Sequence, residues 1–171
     1  MVKNKNPRKS QAGEPNAHAA DVISTPVAQA VFNVQKIYVK NVSLEMPGAP
    51  DIFKENWQPQ LELTLGVEKR DLFPSDYEVT LRLVAKSTLG ESIAFVIELE
   101  QAGIFTATGF PDANLDHLLH SFCPNLLFPY AREVITDLAN KGGFPPIYLN
   151  PVDFDVLYLQ RLENIKKGSA S

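Results

Sequence analysis

The sequence predicts an α+β fold: a four-stranded antiparallel sheet with helices packed on one face. Three observations carry this. Four segments between Val31 and Glu100 alternate apolar and polar residues with a period of two. Short, turn-rich connections separate them, and sequential strands with short connections pair antiparallel. After the strands stop, apolar residues recur at helical spacing, and strands followed by helices give an α+β domain.

Taken in order, residues 1–30 are rich in Lys, Asn, Pro, Ala and Ser, show no sustained period, and are expected to form a disordered extension. The domain is expected over residues 31–165, with a flexible tail over 166–171. In the first strand Phe32, Val34, Tyr38, Val42 and Leu44 share one face, interrupted by Lys36 and Lys40, which suits an edge or an interface. Ile37, Val39, Asn41, Ser43 and Glu45 share the other. Met46–Pro50 is a turn, and Asp51–Trp57 has the length of one helical turn. The second strand points Leu61, Leu63, Leu65 and Val67 inward and Glu62, Thr64 and Glu68 outward. The third sets Tyr77, Val79, Leu81, Leu83 and Ala85 against Glu78, Thr80, Arg82 and Lys86. A tight connection at Thr88–Glu91 leads to the fourth, with Ile93, Phe95, Ile97 and Leu99 on one side and Ala94, Val96, Glu98 and Glu100 on the other.

Asp112 or Asn114 can cap a helix carrying Leu115, Leu118, Leu119 and Phe122. Ser121–Ile135 then places Pro124 and Pro129 in a run that otherwise reads as buried helix. Proline lacks an N–H and clashes with the preceding turn, so the segment needs an unusual backbone or a break. Tyr130–Asn140 reads as a helix ended by Gly142 and Gly143. Residues 144–151 are too rich in proline for regular structure. Asn150 caps a last helix with Pro151 at its first position and Phe154, Leu157, Tyr158, Leu162 and Ile165 on one face.

Length and composition suit one domain: 171 residues, 44% hydrophobic and 21% charged. The net charge of −4 is unevenly spread. Lys3, Lys5, Arg8 and Lys9 against Glu14 and Asp21 make residues 1–30 net +2, and residues 163–171 are net +1, so residues 31–162 carry −7. A body this acidic repels phosphates, which argues against nucleic-acid binding, and attracts a basic partner. The single cysteine, Cys123, permits no intrachain disulfide and suits a reducing compartment. No apolar run approaches the ~20 residues of a membrane span. The basic N-terminus lacks a continuous apolar stretch behind it, so no membrane insertion is expected and the cytosol is the expected location.

Chemistry-bearing residues are sparse. His117, His120 and Cys123 recur every three residues, a spacing that drifts round a helix and does not converge on a metal. Cys123 lies in an apolar run before Pro124, the setting of an inert thiol. Glu98 and Glu100 share a strand face, as is ordinary on a wet sheet. There is no phosphate-binding glycine loop and no nucleophile elbow. The reading is therefore no catalytic residue, no metal, no cofactor and no enzyme. What stands out is apolar surface: Trp57 in a polar stretch, and Phe144–Leu149 in a loop, where such residues either pack under the last helix or line a binding surface.

Five segments carry a resemblance: FNVQKIYVKNVSLE, PGAPDIFKENWQP, EQAGIFTATG, CPNLLFPYAREVI and GGFPPIYLNPVDFDVLYL. Together they run from about Phe32 to Leu162 and resemble the SecB family of protein-export chaperones. The resemblance implies an ATP-independent holdase that binds unfolded precursor proteins in the cytosol and delivers them to the motor SecA. It implies a homotetramer built as a dimer of dimers. It assigns SecA binding to Asn41, Glu45, Val96 and Glu98, with Asn41 standing where the family usually has an acid. It assigns a client groove to Trp57, Phe144, Tyr148, Phe154 and Tyr158. Ile97, Leu99 and Gln101 match positions linked to tetramer assembly, and burial of Ile97 and Leu99 between subunits fits their apolar character. The 30-residue extension is longer than usual for the family. The ending after Leu162 lacks the acidic, Gln-rich tail of some relatives, so no tail contact with the motor is carried over. The alternative is a SecB-like chaperone dedicated to a single labile partner such as an antitoxin.

Overall fold

The structure is a computed structural model and describes residues 29–168. Nearly all of the expected N-terminal extension lies outside the described residues. The strands are β1 (Val31–Glu45), β2 (Gln60–Phe73), β3 (Asp76–Leu89) and β4 (Ser92–Thr108), with a 3₁₀ turn at Asp51–Lys54 between the first two. They form one antiparallel sheet in the order β1-β4-β3-β2. The link from β1 to β2 thus carries the chain from one edge of the sheet to the other. Helices α1 (Asp112–His117), α2 (Cys123–Lys141) and α3 (Phe154–Gly168) follow, with a π turn at Leu118–Phe122 joining the first two. The α+β class read from the sequence is the class observed.

The core lies between α2 and the two inner strands. Val79, Leu81, Leu83 and Ala85 of β3 and Phe95, Ile97, Leu99 and Phe105 of β4 are all buried on the helix side. Leu127, Ala131, Ile135 and Ala139 recur every four residues on α2 and meet them, the period of a one-sided helix. Each large side chain so buried contributes roughly 1.5–3 kcal/mol. Gly103 lets the helix come close: a Cβ there would lie 2.7 Å from the Phe105 ring and 3.1 Å from Leu127 Cδ2. The helices lie mainly over β3 and β4; on β1 Phe32 meets Phe122 of the π turn at 5.5 Å, but Val34, Val39 and Val42 on the same side remain exposed.

Several elements differ from their sequence reading. β4 runs on to Thr108, past the end of its clean alternation at Glu100. Ala102 and Gly103 blur the period there, because residues so small mark neither an apolar nor a polar face in the sequence. β1 contains two bulges, between Val34 and Lys36 and between Val39 and Asn41. Each inserts a residue and reverses the alternation downstream. The helix-side set is therefore Phe32, Val34, Ile37, Val39, Val42 and Leu44, and Tyr38 turns to the opposite face. The helix expected from Tyr130 begins at Cys123 and continues the run from α1. The wide π turn immediately precedes the stretch where Pro124 withholds its N–H, and Pro129 sits inside α2. The cap of α3 is Asp153, whose Oδ1 accepts the Val156 N–H at 3.1 Å, and Asn150 and Pro151 precede the helix. Lys166 and Lys167, good helix formers that suit a C-terminal dipole, extend α3 to Gly168, so the helix takes up the first three residues of the expected tail.

The other face of the sheet is open, and one buried carboxylate organises its middle. Glu78 accepts a hydrogen bond from the Tyr38 hydroxyl and pairs with Lys40 at 3.0 Å and Arg70 at 3.1 Å. It thereby ties β3 to both edge strands, although β1 is two strands away. Burial alone would raise its carboxyl. The bonds from Tyr38 and Lys40, with the charges of Lys40 and Arg70, outweigh burial and hold it below the ordinary carboxylate range. Burial and the bond to Glu78 push the Tyr38 phenol up to about 12.

At its C-terminus α2 ends in a Schellman arrangement. The Phe144 N–H bonds the Ala139 carbonyl at 3.1 Å, and the Gly143 N–H bonds Asn140 at 3.0 Å, with Gly143 at φ +84°. Gly143→Ala is expected to destabilise the fold by about 1–2 kcal/mol, read as a lower urea midpoint at unchanged slope. A carboxylate with a depressed folded-state pKa stabilises above its unfolded value and loses that contribution as pH falls through the folded one. Urea titrations of Glu78→Gln should therefore show about 1–3 kcal/mol less stability at neutral pH. They should also show a shallower decline than the parent as pH falls below the ordinary glutamate range.

Candidate functional site

The open sheet face gathers the acidic residues. Register sets Asn41 opposite Glu100, Ser43 opposite Glu98 and Glu45 opposite Val96, so Asn41, Glu45, Val96 and Glu98 share the face turned away from the helices. In the sequence they are two pairs some fifty residues apart, and pairing of β1 with β4 unites them. Glu45 and Glu98 are exposed and make no ion pair among the described residues. Glu100, beside Asn41, is bridged to Arg82 at 2.8 Å, and Arg82 also reaches Glu68 at 3.2 Å. Glu100 was missed as a member of this group. The signal was its i, i+2 spacing from Glu98.

The aromatic residues expected in one groove occupy four places. Trp57 stacks on Phe144 at 5.3 Å, Phe53 tilts onto the same ring at 5.3 Å, and Phe95 supports it from the core at 5.0 Å. Phe144 is buried, whereas Trp57 is half-buried and Phe53 is exposed, so the cluster presents an aromatic wall to solvent. Phe53 was not read from the sequence as a member. Residues 144–149 lack regular secondary structure, with Phe144, Ile147 and Leu149 buried and Tyr148 84% exposed. The Thr136 hydroxyl fastens this stretch to α2 by donating to the Ile147 carbonyl at 2.9 Å. Between them lies an open cavity of about 670 Å³ lined by Arg132, Glu133, Asn140 and Tyr148 among others. The loop therefore packs against α2 and the sheet core rather than under the last helix, and leaves Tyr148 in solvent.

Phe154 and Tyr158 lie elsewhere. Phe154 is buried edge-on against Phe128 at 5.8 Å, which makes it a core residue and corrects its assignment to a groove surface. As the first residue of α3 it is the anchor of the helix. Tyr158 is half-buried and donates to Asp116 at 2.9 Å. It lines a cavity of about 230 Å³ between α3 and β2, with Leu65, Val67 and Leu157.

Ile97, Leu99 and Gln101 are buried within the single chain, each at most 2% exposed. They alternate onto the helix side of an inner strand, where α2 and β1 cover them. The expectation that Ile97 and Leu99 are buried between subunits is corrected accordingly: the protomer's own core already buries them.

The metal-capable trio diverges. His117 Nε2 meets Asp155 at 2.8 Å, His120 Nδ1 meets Asp116 at 3.0 Å, and Cys123 is in the core. The Ser121 hydroxyl donates to Asp155, and that bond, then the one from His117, holds the Asp155 carboxyl below its usual range. Arg161 stands 3.6 Å from Asp116, so two carboxylates fasten α3 to α1 and the π turn. Burial pushes the Cys123 thiol up to about 12, the condition of an unreactive cysteine. Among the described residues no group of three or more His, Cys, Asp or Glu could hold a metal ion, and no helix is long and apolar enough to cross a membrane.

Three comparisons place the chain. The family described as preprotein translocase subunit SecB matches residues 26–165. The protein-export protein SecB of Actinobacillus succinogenes is 46% identical over 152 residues, covering 86% of this chain and 92% of the relative. That of Methylococcus capsulatus is 48% identical over 132 residues, covering 77% and 85%. Among solved structures, a SecB-like chaperone of Mycobacterium tuberculosis in complex with an antitoxin peptide matches at a TM-score of 0.60. It covers 71% of this chain and 90% of its own at 17% identity, which speaks to the fold. With the family matched across the whole sheet, α1, α2 and most of α3, the chain belongs to the SecB family of protein-export chaperones.

Proposed function

We propose that this chain works as an ATP-independent holdase in the cytosol, binding unfolded precursor proteins on apolar surface and passing them to SecA. The observation that carries the reading is the separation of two surfaces on one sheet. The aromatic wall of Trp57, Phe53 and Phe144 stands on the helix side, and the acids Glu45 and Glu98, without an ion pair among the described residues, stand on the open side. A client and a motor can then be held at the same time. Apolar burial at ~25 cal/mol per Å² needs no sequence code, which suits promiscuous clients. The ordering of a flexible client offsets part of that gain and keeps the complex releasable.

Client contacts are assigned to Trp57, Phe53 and Tyr148 as the accessible members, with Phe144 beneath them and Tyr158 at the α3 cavity. SecA docking is assigned to Asn41, Glu45, Val96 and Glu98. Glu100, directly across from Asn41, supplies an acid beside the position that lacks one. Assembly into a dimer of dimers is supported by β1. It is a 15-residue edge strand that carries three exposed valines on its helix side, a template for pairing with another copy.

Light scattering after gel filtration, with an unfolded secretory precursor added, should give a tetramer-sized species carrying the precursor. Precursor folded beforehand should not join it. Equal capture of the folded form would sink the holdase reading. A tetramer that ignores the precursor would favour a chaperone dedicated to one labile partner. In a SecA titration, Glu98→Lys should weaken binding about tenfold or more through like-charge repulsion while leaving precursor binding intact. Unchanged SecA affinity would show the docking face to be wrong.

A further inference from the structure

We infer that the buried amide of Gln101 positions the docking face on the far side of the sheet, by holding the second bulge of β1 in register. The inference rests on the docking reading above. Gln101 lies on the helix side of β4, opposite Val39 and 2% exposed. Its Nε2 donates to the Tyr38 carbonyl at 2.9 Å, on the residue just before the bulged pair Val39 and Lys40. Its Oε1 is buried and accepts no hydrogen bond among the described residues. A buried amide that makes only part of its hydrogen bonds costs stability relative to an apolar side chain of the same shape. Packing alone therefore gives no reason for it.

Register gives one. A one-residue slip in a strand sends every following side chain to the other face. With the bulge in place, Asn41, Ser43 and Glu45 point outward beside Glu98 and Glu100, and Val42 and Leu44 point inward over Leu99 and Ile97. Without the extra residue the order reverses. Glu45 would turn to the helix side and Leu44 to the open face, and the acidic group would lose its β1 half. Apolar burial specifies the correct side only in part here, because β1 is an edge: Leu44 packs against the core, but Val39 and Val42 are exposed. The bulge is gripped from the open side, where Glu78 holds both Tyr38 and Lys40. Gln101 grips it from the helix side, and it is the polar side chain of β4 that bonds the β1 backbone there.

The test is Gln101→Met, which keeps length and volume and removes the donor, with Gln101→Leu as the second variant if the first accumulates poorly. Three quantities are read on the full chain: amide hydrogen exchange by strand, affinity for SecA, and affinity for an unfolded precursor. Exchange at residues 38–45 should speed about tenfold while β3 is unchanged. SecA affinity should fall about fivefold, with precursor affinity kept. A role in general stability would lower both affinities together, and that outcome overturns the inference. Unchanged exchange in β1 overturns it too, including the case where the assembled mass falls, which would put Gln101 at work in assembly alone. If the parent protein does not bind SecA, the docking reading fails by itself, and the exchange of β1 still decides whether Gln101 holds the bulge.

Discussion

The close seating of α2 on β3 and β4 is the contact from which the other features follow. At Gly103 no side chain stands between helix and sheet, so Leu127 reaches the strand and Phe105 folds over the gap. The residues above and below, Ile97 and Leu99 on β4 and Leu81 and Leu83 on β3, are then shielded completely. A helix placed so squarely on the two inner strands has no width left for the edges. β1 keeps exposed valines on its helix side, and the opposite face of the sheet has no cover among the described residues. The apolar and acidic surfaces both follow from where this one helix sits.

The proline-bearing segment serves that seating. Pro124 and Pro129 remove two N–H donors from a helix that must nonetheless run unbroken from Asp112 to Lys141. The π turn at Leu118–Phe122 absorbs the irregularity before α2 begins, and it directs His117 and Ser121 toward Asp155. The last helix is thus held by hydrogen bonds and ion pairs at its first two turns, with Phe154 as its main apolar anchor. Its outer residues Val156, Leu159 and Ile165 stay exposed. An element fastened mainly by polar groups at one end is less firmly bound than one buried along its length, because exposed ion pairs each contribute little.

On the open face, charge is arranged by pairing. Glu78 consumes Lys40 and Arg70, and Arg82 is taken up by Glu68 and Glu100. Glu45 and Glu98 are left without a cation among the described residues, on neighbouring strands, at the end of the sheet farther from where β1 begins. A basic partner meets little competition there, whereas elsewhere on the face it would have to displace an existing pair.

Composition, alternation and motif determined the class, the four strands, the approximate positions of the helices and the family. Those features are local: a period of two or of 3.6, a Gly-Gly stop, and two prolines in an apolar run are written in consecutive residues. What only the tertiary structure decided depends on which segments meet. The bulges in β1 reversed the expected faces of Tyr38 and Ile37, because an extra residue is visible only against its partner strand. The same pairing joined Asn41 and Glu45 to Val96 and Glu98. The single groove expected from Trp57, Phe144, Tyr148, Phe154 and Tyr158 divided into a wall, the rims of two cavities and a core anchor, because aromatic character marks a residue for burial or for contact without saying which. Ile97 and Leu99 illustrate the same limit. Their apolar character was plain in the sequence, but whether α2 or another copy covers them depends on how the helix crosses the sheet, and α2 reaches them first.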